Sequence, residues 1–452
     1  MVISGQAYLI CFSPVILGCF ADLIVQEAVM TDVLIIGGGI GGLAAALSLH
    51  QAGISVKVFE AAPKLEALGL GIHLQPNAVR ELIELGLGDK LKNNAVAINE
   101  LAFCNRHGQF VWQESRGLKA GYDWPQYAIN RGTLQMLLLE TVKERLPAES
   151  MLTGHKLTEF EQDENGVTAH FVNTDTGEAC GDFEGSVLIG ADGLHSVVRE
   201  KFYPDQEIRF GGQVMWRSAI EAKPFLNGKT FIIAGHKDQK IVAYPMETLA
   251  NGNVMLNVIT ELGSAGEAAP REEWNRTVSK EKFAKAFKDW QFDWLNVPDI
   301  IESLEVVYEF PKTDRDPVEK WTFGRVTMIG DAAHPMHPVG SQAGSQAIVD
   351  GRSLAFHLSK NLNDLPQGLL EYQAERLPAM RSLTLVNRGL GPEVVMDLAE
   401  ERAPDGFDDI SEIIDPNELQ EHADKFKKLA GFSVKELNAR DTYTVEAVGH
   451  SS

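Results

Sequence analysis

A glycine-rich loop near the beginning of the chain is the clearest candidate for a ligand site. Residues 37–42 read Gly-Gly-Gly-Ile-Gly-Gly, which satisfies the pattern G-x-G-x-x-G, and Glu60 follows 18 residues after the last glycine. In such a loop, glycines allow a tight turn, a close approach of pyrophosphate to the backbone, and close packing of a helix on a strand. An acid at the position of Glu60 suits ribose hydroxyls and repels a 2′-phosphate. The pattern therefore predicts a dinucleotide site formed by Gly37, Gly39, Ile40, Gly41, Gly42 and Glu60.

The elements that must position this loop form a strand–helix–strand unit. Asp32–Gly37 is a short apolar strand, Leu43–Gln51 is an Ala/Leu-rich helix, and Ser55–Glu60 is the next strand. Such a unit of about 30 residues implies a right-handed parallel crossover. Two further strands, Ser186–Gly190 and Arg325–Gly330, end in the acidic turns of Asp192 and Asp331.

The middle and the end of the chain differ from these parallel units. Between residues 206 and 310, alternating segments such as Val214–Ile220, Thr230–Ala234 and Ile241–Tyr244 predict an antiparallel sheet. From residue 365 the pattern is helical, and the acidic stretch Glu393–Glu421 is expected to form a solvated helical face. The predicted fold class is therefore α/β: a Rossmann-like dinucleotide-binding domain with an inserted antiparallel β-sheet domain and C-terminal helices.

The same patterns suggest how the chain divides. Residues 30–105, 130–205 and 311–365 are expected to form a discontinuous dinucleotide-binding domain, and residues 106–129 and 206–310 the β domain. Residues 366–452 are the C-terminal helical region, and residues 1–29 are expected to be an extension outside the fold. The apolar stretch at residues 7–20 has no preceding Lys or Arg and is too short for a spanning helix, although a signal anchor is the alternative.

Composition narrows the function classes. The chain has 452 residues and a net charge of −22, which disfavours nucleic acid and anionic membranes as partners. Four scattered cysteines point to a reduced, cytoplasmic protein and form no metal motif. His334-x-x-His337 has the spacing of a metal pair, but Pro335 and Pro338 interrupt any helix, so no metal site is expected.

Three blocks of the chain resemble the class A flavoprotein aromatic monooxygenases, the family of para-hydroxybenzoate and salicylate hydroxylases. The blocks are Gly37–Gly42 with Glu60, Gly190–Ser196 with Arg199, and Gly330–Gly340, in the order and spacing of the family. The resemblance extends from about Thr31 to about Leu385. The intervening segments are most similar to the methylphenazine-carboxylate monooxygenase branch; they are Gly69–Ile72, Gln75–Asn77, Met215–Arg217, Val242–Pro245 and Asp314–Pro317.

The resemblance implies FAD as cofactor and names residues that hold it. Asp331 would accept a hydrogen bond from a ribityl hydroxyl, and Arg131, with Gln135 one turn on, would contact the FAD phosphate. Asp192 would serve the flavin, although capping of a helix near Ser196 is an equally good explanation. The further FAD contacts that the resemblance implies are Gly71, Ile72, Gly193, Gly340, Ala343 and Gly344.

The loop before the helix predicted from Ser341 to about His357 has a specific role in the family. Its free amides and the helix dipole would stabilise negative charge on the N1–C2=O edge of the reduced flavin. Here the chain departs from the usual family sequence: it has Gln342-Ala343-Gly344 in place of Asn-Gly-Ala, and His337 where many relatives carry an aromatic residue.

The family reaction is reduction of FAD by NAD(P)H, addition of O2 at flavin C4a, and transfer of the distal oxygen of the hydroperoxide to an aromatic ring. The expected substrate is a small ring carrying a hydroxyl, amino or carboxylate group, bound near His73, Met215, Arg217, Tyr244 and Pro338. Arg217 could pair with a substrate carboxylate or make a cross-strand ion pair. His337 is the candidate for taking the phenol proton, with a packing role as the alternative.

Two other functions remain open at this point. One is a flavin-dependent oxidoreductase that inserts no oxygen, and the other is an NAD-linked dehydrogenase. No second glycine-rich fingerprint occurs, so NAD(P)H is expected to bind transiently. The protein is expected to be a monomer or a homodimer.

Overall fold

The computed structural model describes residues 33–67, 69–266 and 276–445. The predicted N-terminal extension and its apolar stretch lie outside these residues. In chain order, the described strands are β1 (Val33–Ile36), β2 (Val56–Glu60), β3 (Gly71–Leu74), β4 (Val96–Ile98), β5 (Glu100–Cys104), β6 (Phe110–Ser115), β7 (Gln126–Asn130), β8 (Met151–Thr153), β9 (His155–Gln162), β10 (Val167–Asn173), β11 (Ala179–Gly185), β12 (Val187–Gly190), β13 (Ile208–Ala222), β14 (Thr230–His236), β15 (Gln239–Thr248), β16 (Val254–Gly263), β17 (Gln291–Phe292), β18 (Leu295–Asn296), β19 (Tyr308–Arg315) and β20 (Val326–Met328).

The α-helices of the described residues are α1 (Ile40–Gln51), α2 (Pro76–Glu84), α3 (Gly88–Asn94), α4 (Arg131–Arg145), α5 (Val197–Phe202), α6 (Glu281–Ala284), α7 (Val297–Glu302), α8 (Ala343–Lys360), α9 (Leu365–Arg388), α10 (Val394–Arg402), α11 (Pro416–Leu429) and α12 (Val434–Ala439). Short 3₁₀ turns are at Gly117–Ala120, Ala148–Ser150, Lys285–Phe287, Gly330–Ala332, Val339–Ser341, Gly391–Glu393 and Ile410–Glu412. Within the described ranges, no helix combines the length and the apolar character that a bilayer-spanning segment needs.

A five-stranded parallel sheet in the order β20-β12-β1-β2-β8 carries the predicted dinucleotide site. All four residues of β1 are buried, as expected for a strand covered on both faces. Helix α1 packs against this sheet and against α8. The two helices approach closely because Gly351 of α8 has no side chain: a Cβ there would lie 2.8 Å from the backbone nitrogen of Ala45. The predicted Rossmann-like core is confirmed.

A seven-stranded sheet in the order β19-β13-β16-β15-β14-β5-β6 forms the second large unit. Its pairs are antiparallel except β14 with β5, which run parallel. Side chains alternate between two cores along each strand: in β14, Ile232 and Ala234 face α6 and α7, whereas Phe231 and Ile233 face the opposite side. The sheet takes its strands from residues 100–115, 208–263 and 308–315, and the division into domains stays a prediction.

A three-stranded sheet, β3-β7-β4, lies between the two large units. It is fixed to the seven-stranded sheet where the Gly71 amide donates to Asn257 Oδ1 of β16 at 2.8 Å. Another antiparallel sheet, β11-β10-β9, packs the rings of Phe171 and Phe183 against Phe59 of β2.

The C-terminal helices cover one face of the seven-stranded sheet. Helix α10 buries Val395, Met396 and Ala399 in the core that contains Phe231. The expectation of a solvated acidic face is therefore wrong at its beginning: the Glu393 carboxylate is buried and forms an ion pair with Lys240 of β15. The prediction failed there because α10 has apolar residues at helical spacing that face the core, and the many acidic residues around them obscured this pattern.

Candidate functional site

The predicted motifs meet in a row at the carboxyl edge of the parallel sheet. Because β1 lies between β2 and β12, and β20 follows β12, the turns after these four strands are neighbours in space. Ile36 pairs with Gly190, and Gly190 pairs with Met328. Crevices at this edge are where open α/β sheets bind ligands.

The glycine loop adopts the conformation that its sequence predicts. Gly37 has φ +113°, and a Cβ there would lie 2.4 Å from the Ala191 carbonyl oxygen. A Cβ on Gly42 would lie 2.0 Å from the Gly37 carbonyl oxygen. By contrast, a Cβ on Gly39 would meet no atom within 4 Å, so the space in front of the loop is open there. Helix α1 begins at Ile40, and its first-turn amides have no partner inside the helix.

Glu60 and Gln135 fix the loop from two sides. One oxygen of the Glu60 carboxylate accepts the Gly38 amide at 2.7 Å, and the other accepts the Ala62 amide at 2.7 Å. The Gln135 side chain donates to the Gly38 carbonyl oxygen at 3.0 Å. Both predicted cofactor residues therefore contact the loop itself, and Glu60 has a structural partner as well as its predicted ribose.

Asp192 has the capping contacts that were the alternative to direct cofactor binding. Its carboxylate accepts the Ser196 hydroxyl at 2.6 Å and the Val198 amide at 3.3 Å, at the beginning of α5. The Ser196 hydroxyl in turn accepts the Arg199 amide at 2.9 Å. Gly193 has φ +78° and open space around its Cβ position.

Asp331 lies at the mouth of the crevice, and its side chain is exposed. Although solvent reaches this side chain, the surrounding protein limits the hydration of the carboxylate and so raises the pKa of Asp331, while His334 and Arg131 oppose that rise. Arg131 begins α4, as predicted, with its backbone amide donating to the Leu70 carbonyl oxygen at 2.8 Å. Asn130 caps this helix by accepting the Thr133 amide at 3.1 Å.

The turn that carries Asp331 rests on side chains that the sequence reasoning missed. Asp350 of α8 accepts the Gly330 amide at 2.9 Å, contacts His334 Nε2 at 2.6 Å and accepts Arg376 Nε at 2.8 Å. Burial by itself would raise the pKa of Asp350, but these cationic and hydrogen-bonding partners hold it at about 2. His334 therefore has a carboxylate partner inside the fold.

Arg199 of the second motif supports the same turn. Its guanidinium is fully buried and donates to the carbonyl oxygens of Ala332 and Ala333, each at 2.8 Å. The second and third blocks of the family pattern are thus joined by hydrogen bonds. Their spacing in the sequence gave no sign of this contact.

The loop before α8 has an unusual backbone. Gly340 and Ser341 have φ of +67° and +52°, and positive φ at a serine is a strained conformation. Helix α8 begins at Ala343, two residues later than predicted, and Gln342 at its N-cap makes no side-chain capping bond. A Cβ on Gly344 would lie 2.5 Å from Ile72 Cδ1, so the predicted residues Ile72 and Gly344 are in contact. First-turn amides of α8 therefore remain available to an anionic group.

His337 lies beside this loop and packs against β13 of the seven-stranded sheet. Its ring lies against Gly211 of β13, and Nε2 is 3.7 Å from the Asp314 carboxylate. Burial lowers the pKa of His337 to about 4, although Asp314 opposes that shift. The ring is therefore neutral at pH 7, as a proton acceptor must be, and Nε2 is buried with no hydrogen-bond partner among the described residues.

A cavity of about 30 Å³ lies between the three-stranded sheet, the seven-stranded sheet and the C-terminal helices. Of the predicted residues, His73 and Gly340 line it. Met215, Arg217, Tyr244 and Pro338 do not, although Tyr244 stacks on Phe231 of the wall at 4.7 Å. The lining residues are His73, Gln75, Leu101, Phe103, Arg116, Gln126, Phe231, Ile233, Gly340, Ser341, Pro392, Phe426 and Phe432.

Within the described residues, Arg217 makes no cross-strand ion pair, and its pairing with a substrate carboxylate stays a prediction. Its guanidinium donates to the Gly71 carbonyl oxygen at 2.8 Å and lies over the Phe310 ring at 5.9 Å. Burial lowers the pKa of Arg217. Gly71 needs to be a glycine at this contact, because a Cβ there would lie 2.8 Å from the Asn257 side chain.

These features fit FAD. The open space over Gly39 and the uncapped amides of α1 suit a pyrophosphate, and the exposed carboxylate of Asp331 suits a polyol hydroxyl. The uncapped start of α8 suits the electron-rich edge of a flavin. The first two follow β1 and β20 of the parallel sheet, and the third lies against Ile72 of the three-stranded sheet.

Comparison with known proteins supports this assignment. Residues 30–385 match the family model described as FAD binding domain. The chain is 40% identical to phenazine 1,6-dicarboxylic acid hydroxylase PhzS of Lysobacter antibioticus over 80% of this chain and 90% of the relative. It is 34% identical to 3-hydroxybenzoate 6-hydroxylase of Polaromonas naphthalenivorans (strain CJ2), over 79% of this chain and 87% of the relative.

Solved structures share the fold. HpxO of Klebsiella pneumoniae, complexed with FAD and uric acid, superposes with a TM-score of 0.67 at 23% identity, over 90% of this chain and 95% of its own. 2,6-Dihydroxypyridine-3-hydroxylase from Arthrobacter nicotinovorans gives a TM-score of 0.67 at 23% identity, over 81% of this chain and 93% of its own.

The family match contradicts the alternative of an NAD-linked dehydrogenase, which has no use for an FAD-binding fold. It confirms FAD as the cofactor and confirms the resemblance on which the site residues were chosen. We conclude that the chain belongs to the FAD binding domain family and, within it, to the class A flavoprotein aromatic monooxygenases.

Proposed function

We propose that this enzyme uses NAD(P)H and O2 to hydroxylate a small aromatic or heteroaromatic ring that carries a hydroxyl, amino or carboxylate group. The observation that carries the proposal is the row of motifs after β2, β1, β12 and β20, beside a cavity with aromatic walls. Relatives that are similar over four fifths of this chain are named as hydroxylases of phenazine and benzoate acids. We further propose that the enzyme works in the cytoplasm, as a monomer or a homodimer.

Each proposed cofactor residue has a defined task at this edge. The loop from Gly37 to Gly42, held by Glu60 and Gln135, would bind the pyrophosphate, and Asp331 would accept a polyol hydroxyl. Arg131 would balance the phosphate charge. Once bound, FAD supplies the electron transfer and the oxygen chemistry.

The chain's own contribution to the reaction is placement and exclusion of water. The amides that begin α8 would stabilise negative charge at the flavin edge, and this effect does not require a charged side chain. The aromatic walls of the cavity would keep water from the reacting centre. His337 is neutral and therefore able to accept a proton.

The proposal is tested with purified protein. Visible absorbance is recorded first, and then NADH and NADPH oxidation is followed with a panel of hydroxy- and amino-substituted benzoates, pyridines and phenazines. We expect a yellow protein whose NAD(P)H oxidation accelerates with at least one ring and whose product carries ¹⁸O from ¹⁸O2. Turnover without label in the product would support the alternative of an oxidoreductase that inserts no oxygen.

The cofactor residues are tested by flavin content. Asp331→Ala and Glu60→Ala should each lower the ratio of flavin to protein at least tenfold under dilute conditions. Glu66→Ala is the control, because Glu66 follows the same strand but pairs with Lys64 at the surface. An unchanged flavin content in Asp331→Ala would refute the role of that carboxylate.

A further inference from the structure

The cavity beside the Gly340–Ser341 loop is lined by buried polar side chains that have atoms without hydrogen-bond partners. Three side chains, Gln75, Gln126 and Arg116, line it and are at least nine-tenths buried. Gln75 Oε1, Gln126 Oε1 and Arg116 Nε have no hydrogen-bond partner among the described residues. Buried polar groups without partners are costly and therefore rare in folded proteins. Because all three side chains line one cavity, we infer that a ligand bound there forms the missing hydrogen bonds.

The neighbours of these side chains fix which atoms remain for a ligand. The Gln75 amide nitrogen donates to the Gly340 carbonyl oxygen at 3.2 Å, which leaves its oxygen as an acceptor. The Gln126 amide nitrogen lies 3.2 Å from His73 Nε2. Since an amide nitrogen only donates, the His73 nitrogen is the acceptor, and burial together with Arg116 keeps His73 neutral by lowering its pKa to about 3.

Arg116 is held by an ion pair that reaches the C-terminal helices. Its guanidinium pairs with Glu114 of β6, and Glu114 also pairs with Lys427 of α11. Arg116 and Lys427 are cations and Glu114 is the anion between them, so the three side chains together carry a net positive charge. Asp424 is 3.9 Å from Lys427, but its side chain is exposed and screened by water.

The C-terminal helices also form the roof of the cavity, through Pro392, Phe426 and Phe432. The opposite wall is aromatic, with His73 stacked on Phe231 at 4.7 Å. A volume of about 30 Å³ accommodates water but not an aromatic ring, since benzene fills a cavity of about 150 Å³. Entry of a ring therefore requires the roof to shift.

We propose that Arg116, Gln75 and Gln126 form a recognition triad for an aromatic carboxylate that also carries a hydroxyl or amino donor. Arg116 donates a hydrogen bond to a carboxylate oxygen, and the amide oxygens of Gln75 and Gln126 accept hydrogen bonds from the O–H or N–H groups. Lys427 is a positioning residue, because it acts on Arg116 through Glu114. This inference rests on the proposed function, whose substrate class it specifies.

The first test compares matched ligands by isothermal titration calorimetry of the FAD-loaded enzyme. The probes are 3-hydroxybenzoate against 3-hydroxybenzamide, and phenazine-1-carboxylate against phenazine-1-carboxamide. Arg116→Gln should raise the Kd of at least one carboxylate by about 10- to 100-fold and that of its amide by less than about threefold, as expected for a charge-assisted hydrogen bond.

Arg106→Gln is the matched control, because Arg106 lies on the same β5–β6 hairpin and also contacts the C-terminal helices, through Glu400, without lining the cavity. It should leave both Kd values unchanged. Should Arg116→Gln unfold, Arg116→Lys keeps the charge and is expected to give an intermediate loss for the carboxylate. Equal losses for carboxylate and amide in either Arg116 variant would overturn the proposal.

The second test separates the acceptors from the cation. Gln126→Leu should raise the Kd of 3-hydroxybenzoate by about 3- to 10-fold and leave the Kd of benzoate unchanged, because only 3-hydroxybenzoate has a hydroxyl donor. Lys427→Met should lower the preference for carboxylate over amide by about threefold or more, a ratio that a merely structural role would not move.

Two outcomes distinguish this inference from the proposed function. A yellow wild-type protein that binds none of the four probes would overturn the triad and leave flavin binding standing. A protein that stays colourless with added FAD would overturn the proposed function and the triad with it.

Discussion

The edge of the parallel sheet and the cavity differ in how they obtain their binding groups. At the sheet edge, most groups are backbone amides and glycines in short runs that follow single strands. In the cavity, the unpartnered polar atoms belong to side chains, and the lining comes from segments between residues 73 and 432. The first arrangement suits a cofactor whose phosphates and polyol are invariant. The second can change its ligand by single substitutions without disturbing the fold.

The two regions are connected at one place. Gly340 lines the cavity, accepts a hydrogen bond from Gln75 and lies two residues before the N-cap of α8. Its Cβ position is 2.4 Å from Phe426 of the roof. A ligand that shifts the roof would therefore act directly on the loop next to the proposed flavin edge.

The largest expected effect concerns two glycines of the same loop. Gly42→Ala should prevent stable folding, because its Cβ would lie 2.0 Å from a backbone oxygen that has no room to move. Gly39→Ala should leave the melting temperature within a few degrees, since its Cβ meets open space, yet lower flavin content at least tenfold. Thermal melts and the absorbance ratio check both. Equal flavin contents in Gly39→Ala and wild type would mean that the pyrophosphate does not approach there.

Removing the charge of Asp350 should be the next largest effect. Asp350→Asn leaves Arg376 buried without its carboxylate and weakens support of the Asp331 turn, so we expect a loss of about 3–5 kcal/mol in unfolding free energy. Asp316→Asn is the control, because the Asp316 side chain is exposed and its pairs with Arg209 and Arg388 should together contribute only about 1 kcal/mol. Denaturant titration measures both; similar losses would show that burial is not the deciding factor.

His337 should make stability depend on pH. Its pKa is about 4 in the folded state and 6.5 as a free side chain, so the unfolded chain binds more protons between these values. Stability is therefore full above pH 6.5 and falls as the pH drops toward 4, by about 3 kcal/mol for this residue. His337→Gln should remove that part of the acid sensitivity. Denaturant unfolding at pH 7 and pH 4.5 measures how much unfolding free energy each protein loses on acidification. An equal loss in His337→Gln and wild type would contradict the assignment.

The smallest expected effect distinguishes two arginines. Arg217 donates to the Gly71 carbonyl and does not line the cavity, so Arg217→Gln should change the ratio of carboxylate to carboxamide affinity by less than about threefold. Arg116→Gln should change the same ratio by more than about threefold. Calorimetry with the paired ligands measures both variants. A larger effect at Arg217 would indicate that Arg217, which the sequence pattern suggested first, binds the substrate carboxylate in place of Arg116.

Sequence reasoning was most successful where a motif is local. The spacing of Gly37, Gly42 and Glu60 predicted the loop and its strand–helix–strand setting because backbone geometry restricts such turns to glycine. It was less specific for Met215, Arg217 and Tyr244, which lie on the antiparallel strands and whose place at the substrate site stays a prediction. Alternation shows that a strand has two faces, but it does not show which face meets the ligand.

The sequence by itself determined the fold class, the cofactor family and the groups that follow the parallel strands, because these depend on local conformation and on strand-end topology. Only the tertiary structure decided that Arg199 supports the Asp331 turn and that Asp350 pairs with Arg376. It also decided that Gln75, Arg116 and Gln126 share a cavity roofed by the C-terminal helices. These contacts join residues far apart in the chain, and side-chain packing, which has no short sequence signature, sets them.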